Sequence, residues 1–300
     1  MTTTNTAAAP TPCPTDAAPT DATEARHERY RELLATLESG VAAIVTGEGF
    51  ARYLQCMARF HAYSPNNVAL ILAQRPEATR VAGYRAWQTL GRQVRRGERG
   101  IRIIVPYRTR AEGEEPGREV VIVSGFGVGT VFDLAQTAGE PLAVPPILGA
   151  LHGDATRAAW VRGALIGWLQ EQGVTLTRRD TGGAYGYYLP RTREIAVHHD
   201  LAGLREVKTL VHEAAHFAAD HAGGVRREDA ETVAESAAYV TLAHFGLDTS
   251  GYSFGYVGEW ARDMGVFRRN RAVIQQTAHI LIVAIAGEDD GAGAVEARAA

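Results

Sequence analysis

The run Thr209-Leu-Val-His212-Glu213-Ala-Ala-His216-Phe-Ala-Ala-Asp220-His221 holds one copy of H-E-x-x-H, a pattern that fixes both a local conformation and a chemistry. Leu204, Val207, Leu210 and Val211 recur ahead of it at helical spacing, and neither Gly nor Pro interrupts Leu204 to His221. The spacing therefore predicts one helix through the motif. Four residues make about one turn, so His212 and His216 leave the same face and their ring nitrogens can converge on one cation. Glu213 stands beside them, placed to hold a water and take its proton.

A catalytic zinc takes three protein ligands and keeps its fourth position open, so a third ligand is required. Downstream, Glu231-Thr-Val-Ala-Glu235-Ser-Ala-Ala-Tyr reads as a second, Ala-rich helix, brought back beside the first by a turn at Gly223-Gly224. Glu231 and Glu235 are one turn apart and share a face. One can bind metal while the other accepts the ring N–H of a ligating His, and Glu231 is favoured as the ligand. A nitrogen and oxygen donor set of this kind suits Zn2+ and tolerates Mn2+ or Co2+.

Charge divides the chain. Residues 25–150 carry 16 Arg against 12 acids, whereas residues 151–300 carry 15 bases against 19 acids, so the overall net charge of −3 conceals a basic half beside an acidic one. Only Cys13 and Cys56 occur, which excludes a disulfide framework and a thiolate metal site and makes the cytoplasm the expected compartment. A basic leader with an apolar core is missing from the first residues, and the longest late apolar run, Ile280 to Ala286, is short for a bilayer; no membrane role is expected.

The expected architecture is α+β in two domains. Residues 1–24, rich in Ala, Thr and Pro, read as a disordered tail. Residues 25–140 form a basic α+β domain with a β-hairpin, residues 141–150 a Pro-rich linker, residues 151–287 a second α+β domain around the H-E-x-x-H helix, and residues 288–300 a tail. Tyr30 to Val41 and Phe50 to Phe60 follow helical spacing, and Ser64-Pro65 starts a helix that stops before Pro76. Between Arg80 and Arg110 stand nine Arg and a single acid, Glu98. Tyr84, Trp87 and Leu90 suggest a short helix closed by Gly91, and Ile101 to Tyr107 a strand that pairs with Glu119 to Ser124. Guanidinium groups neutralise phosphate while rings stack on bases, so Arg92, Arg95, Arg96, Arg99 and Arg102 with Trp87 and Tyr107 are the candidate contacts to single-stranded DNA. Gly125-Phe-Gly127-Val-Gly129 lacks phosphate-loop spacing and reads as a bulged strand. Tyr185 to Pro190 and Glu194 to His198 read as a hairpin ahead of the metal helix, and a helix from about Asn270 to Ala286 follows later.

Phe60-His-Ala-Tyr-Ser-Pro-Asn-Asn67, the block from Trp87 to Ile101, and Gly125 to Gln136 together resemble the N-terminal domain of the ArdC-type antirestriction proteins. The resemblance extends over roughly residues 25 to 285. It implies a domain that binds single-stranded DNA, followed by a zincin-like metallopeptidase domain related to the ImmA/IrrE peptidases, acting in plasmid or phage defence against restriction. It also implies His212 and His216 as ligands, Glu213 as the catalytic residue and Glu231 as third ligand in a Glu-x-x-Ala pattern. Glu235 opens a second such pattern, and His221 is displaced by one position from the family's usual element. Two other functions fit the same residues: DNA protection with a structural or idle metal site, and cleavage of a protein or peptide substrate such as a repressor.

Overall fold

A computed structural model describes residues 21–44, 47–112, 119–142, 154–220, 225–249 and 264–287. The architecture is mixed α+β. It opens with helices α1 (Asp21–Ala43), α2 (Gly47–Arg59) and α3 (Pro65–Gln74). The first begins at Asp21, inside the stretch expected as a disordered tail, and ends at Ala43, just past Val41. Ser64 caps α3 by accepting the Asn67 N–H, with Pro65 in the first turn, where its missing donor costs nothing. There follow β1 (Val81–Gly83), α4 (Tyr84–Thr89), β2 (Arg92–Val94), β3 (Ile101–Glu112), β4 (Glu119–Asp133), a 3-10 turn (Leu134–Gln136) and β5 (Thr137–Gly139).

Strands β1, β4 and β3 form an antiparallel sheet in that order, and β2 pairs with β5. The hairpin of β3 and β4 is longer than the sequence suggests, because β4 runs unbroken through the Gly125–Gly129 stretch. The register shift falls between Tyr107 and Arg108, leaving Ser124 as the extra residue. The glycines make room across the ladder. A Cβ on Gly127 would lie 1.9 Å from the Tyr107 hydroxyl, and one on Gly129 would lie 2.5 Å from a Val105 methyl.

The outer edge of β3 is closed by two side-chain amides rather than by a strand. Asn67 exchanges hydrogen bonds with the N–H and C=O of Ile104 at 2.9 Å, and Gln74 does the same with Arg102 at 2.9 and 2.7 Å. Asn67 and Gln74 are seven residues apart on one face of α3, so the helix acts as a neighbouring strand and satisfies an edge that would otherwise invite pairing.

The second half comprises α5 (Asp154–Glu171), β6 (Thr175–Arg179), β7 (Gly186–Leu189), β8 (Glu194–His198), α6 (Gly203–Ala218), α7 (Arg227–His244) and α8 (Met264–Ala286). The expected hairpin is β7 and β8. Strand β6, unforeseen because Leu176 is its single apolar residue, runs parallel to β8 and gives the order β6-β8-β7. Helix α6 ends at Ala218, within the uninterrupted Leu204 to His221 run; His221 and the Gly223-Gly224 turn lie outside the described residues, as do most of 141–150, residues 1–20, residues 288–300 and Tyr252 to Trp260. Helix α8 begins six residues before the expected Asn270, because Val266 and Phe267 are buried.

The two halves share one hydrophobic core rather than holding one each. A single cluster joins Phe50, Tyr53, Met57 and Val68 of the first half to Leu165, Val211, Ala237 and Leu281 of the second. Phe267 sits edge-on to Phe50 at 4.6 Å and to Tyr53 at 5.7 Å. A smaller cluster around Ala82, Ala86 and Trp87 lies apart.

Candidate functional site

Helix α6 buries Val207, Leu210, Val211, Ala214 and Ala215, which turns the His212 and His216 face toward α7. In α7 the contact residues Ala234, Ala237 and Ala238 are fully buried and small, so the two helices approach closely enough for short carboxylates to reach the imidazoles. His212 Nε2 and His216 Nε2 stand 3.2 Å apart, and Glu231 Oε2 lies 3.4 Å from the first and 3.8 Å from the second. Donors about 2.0–2.2 Å from a tetrahedral ion lie roughly 3.4 Å from one another. The three atoms therefore fit a divalent cation.

The remaining ring nitrogen of His212 is occupied. Its Nδ1–H donates to Glu235 Oε2 at 3.1 Å, which leaves the Nε2 lone pair directed at the site. Lys208 holds the other oxygen of Glu235 at 2.6 Å, so this nearly buried carboxylate is balanced on both sides. Lys208 was missed in the sequence, although it lies four residues before His212 on the same helical face.

Burial opposes charging His212, but hydrogen bonds to Glu231 and Glu235 and the charge of Glu213 outweigh it and raise its pKa to about 9. The His212 and His216 hydrogen bonds hold Glu231 far below the usual carboxylate range. Burial raises the Glu235 pKa, yet His212 and Lys208 bring it down to about 2. Glu213 moves the other way: burial pushes its pKa up, partly offset by the two histidines and by the Tyr188 N–H that it accepts. Gly186 permits that contact, since a Cβ there would lie 2.7 Å from Thr209 and 3.3 Å from Glu213. Strand β7 is thus an edge strand lying against the Glu213 side of α6.

The turn from β8 into α6 is held by Arg178, which donates to the carbonyls of His199 and Leu201 at 2.7 and 2.8 Å and pairs with Glu206; Arg162 pairs with the same carboxylate at 2.7 Å. His198 and His199 stack there at 4.6 Å and gather with Asp200, but His198 Nδ1 already accepts the Asp200 N–H.

The arginine block differs from expectation in several places. Trp87 is fully buried and donates its indole N–H to the Phe132 carbonyl at 2.8 Å, so it is a core residue and cannot stack on a base. Arg92 is buried too: its guanidinium bonds Thr137 Oγ1 at 2.8 Å and the Thr137, Gly139 and Glu140 carbonyls, tying β2 to β5. Neither residue can meet phosphate or base. Arg95 is bound to Glu98 and to the Ala135 carbonyl, and Arg102 to Glu32 at 2.8 Å. Glu98, the single acid of the block, is the clamp of its turn. Gln136 donates to it at 3.0 Å and to the Arg99 carbonyl at 2.8 Å, and these bonds with Arg95 lower the Glu98 pKa. Arg96 and Arg99 project from that turn into solvent, and Tyr107 is exposed at 41%.

With this geometry established, relatives can be placed. Residues 23–132 match the N-terminal domain of the anti-restriction factor ArdC. The chain carries an ArdC-type N-terminal domain. An uncharacterized Bacillus anthracis protein is 22% identical over 247 residues, which is 69% of this chain and 42% of that protein. This chain therefore spans less than half the length of that relative. The antirestriction ArdC protein from the R388 plasmid has been solved in a metal-free structure, similar at a TM-score of 0.46 and 22% identity over 76% of this chain and 86% of that one. Its Mn(II)-bound structure is similar at 0.49 and 20% identity over 85% and 97%. No single described helix of the chain is long and apolar enough to cross a membrane.

Proposed function

We propose that this protein is an antirestriction factor that binds single-stranded DNA through its basic half and hydrolyses a peptide bond at a divalent metal site in its second half. The observation that carries the peptidase reading is the triangle of His212 Nε2, His216 Nε2 and Glu231 Oε2, with edges of 3.2, 3.4 and 3.8 Å, beside the buried Glu213. A divalent ion bound there would act as a Lewis acid toward the scissile carbonyl and toward water. His212 and His216 supply neutral imidazole nitrogens, Glu231 supplies charge, and Glu235 with Lys208 keeps His212 in the required tautomer. Glu213 is the general base: its raised pKa lets it take a proton from water and return it to the leaving amine. The edge of β7 offers backbone groups to an extended peptide, so the substrate binds as an added strand. DNA binding is assigned to Arg96 and Arg99 on their clamped turn and to Tyr107 on the hairpin.

Glu213→Gln separates binding from chemistry. The variant is expected to bind one zinc or manganese ion per chain like the parent and to lose cleavage of an unstructured protein substrate by about a hundredfold or more. Zinc content and a proteolysis time course measure the two. Undiminished cleavage by the variant removes Glu213 from the reaction; protection of DNA that survives the substitution unchanged makes binding alone the antirestriction function.

A further inference from the structure

A cavity of about 520 Å³ lies at the seam between the halves and shares no residue with the metal cluster. Its walls are Gln55, Ala58 and Arg59 at the end of α2, the turn Phe60 to Tyr63, the segment Thr79 to Val81, and Ala243 and His244 at the end of α7. Arg59, His61, Arg80 and His244 line it, and among the described residues no carboxylate does. Arg59 is held in place by the Ala78 carbonyl at 2.7 Å and the Pro76 carbonyl at 3.5 Å, which orients its guanidinium without neutralising it. The nearby Asp133 points away, its carboxylate taken up by the N–H groups of Thr79, Arg80 and Ala135. Among the described residues, neither Arg59 nor Arg80 forms an ion pair.

His61 is buried, with Nδ1 2.9 Å from Nδ1 of His279 and its ring edge-on to His244 at 4.8 Å. His244 gives its Nδ1–H to the Ala58 carbonyl at 2.8 Å, which fixes its ring against the end of α2. The two guanidiniums carry more charge than a single carboxylate balances and match a phosphate monoester, whose charge is about −1.5 to −2 near neutral pH. The cavity is several times larger than a phosphate group, and Phe60, Tyr63 and Val81 add apolar wall for a second moiety.

We propose that this seam cavity binds the phosphate of a nucleoside-sized phosphate monoester, with Arg59 and Arg80 as the charge partners. The phosphate could come from a free nucleotide or from the phosphorylated end of a strand. Isothermal titration of the full chain with deoxyadenosine monophosphate, inorganic phosphate and deoxyadenosine tests it. One monophosphate should bind per chain, phosphate more weakly, and deoxyadenosine not at all. Arg80→Ala, which removes a side chain with no hydrogen bond to another of the described residues, should weaken the monophosphate about tenfold or more with an unchanged circular dichroism spectrum. Arg96→Ala should bind it like the parent, which separates the cavity from the DNA surface. Displacement of the bound monophosphate by a 5′-phosphorylated but not a 5′-hydroxyl trinucleotide identifies strand ends as the source; displacement by neither identifies the free nucleotide. Deoxyadenosine binding as tightly as the monophosphate, equal affinity in Arg80→Ala, or no heat with any phosphate would each overturn the assignment.

Discussion

The candidate metal cluster and the arginine block stand about equally far out in the sequence, yet folding treated them differently. His212, His216, Glu231 and Glu235 meet as their spacing suggested. In the arginine block, Trp87 and Arg92 are interior, Arg95 and Arg102 are paired, and Arg96, Arg99 and Tyr107 face solvent. The lesson concerns the length of the physical lever. Residues four apart on a helix have a relation set by the backbone. Whether an arginine six bonds long reaches out or folds back depends on carbonyls and carboxylates brought by distant segments, here Thr137, Gly139 and Glu32.

The sharpest way to break the contrast is at the metal cluster. The His212→Ala, His216→Ala double variant should lose stoichiometric zinc altogether, read by elemental analysis after dialysis. Retention of one ion per chain would mean that the convergence of the two rings is not a ligand set.

The next largest effect belongs to the buried tryptophan. Trp87→Ala should lower unfolding stability by about 3–5 kcal/mol, measured by urea denaturation, because it empties a core position and orphans the Phe132 carbonyl. A loss of DNA affinity without a loss of stability would return Trp87 to the binding surface.

Proton linkage at the cluster comes third. The pKa of His212 is raised from its ordinary 6.5 to about 9 in the metal-free protein, so its stabilising contribution is present below about pH 6.5 and fades as pH rises through about 9. Glu231 and Glu235 are lowered from 4.5, so theirs is present above that value and is lost as pH falls. A metal must displace the His212 proton at pH 7. Zinc affinity should therefore rise by up to about tenfold per unit between pH 7 and 9, with one proton released per ion, measured by titration in buffers of different ionisation enthalpy.

The smallest effects compare two arginines only four residues apart. Arg92→Ala should destabilise the fold by about 1.5–3 kcal/mol, since it removes a buried, multiply bonded cation. Arg96→Ala should change stability by less than about 0.5 kcal/mol but lower the salt slope of single-strand binding by about 0.7. Equal behaviour of the two would erase the distinction between interior and exposed members of the block.

Much of the fold was legible. The helices came from apolar spacing and the Ser64-Pro65 cap, and the β7–β8 hairpin from its alternation. Strand β6 and the β2–β5 pair were not legible, because Thr175 to Arg179 and Arg92 to Val94 carry a single apolar residue each and owe their conformation to a partner strand. Lys208 could have been read from its spacing to His212. The closure of the β3 edge by Asn67 and Gln74 could not, since it requires knowing which strand lies beside α3.

By itself the sequence determined that two imidazoles share a helical face with a glutamate beside them, and that the basic charge gathers in the first half. Tertiary structure alone decided that Glu231 faces the open ring nitrogens while Glu235 takes the Nδ1–H of His212, and which guanidiniums remain in solvent. The reason is that helical periodicity is carried by bonded geometry and survives any packing, whereas the distance between two helices and the partner of a long side chain exist only once the shared core has closed.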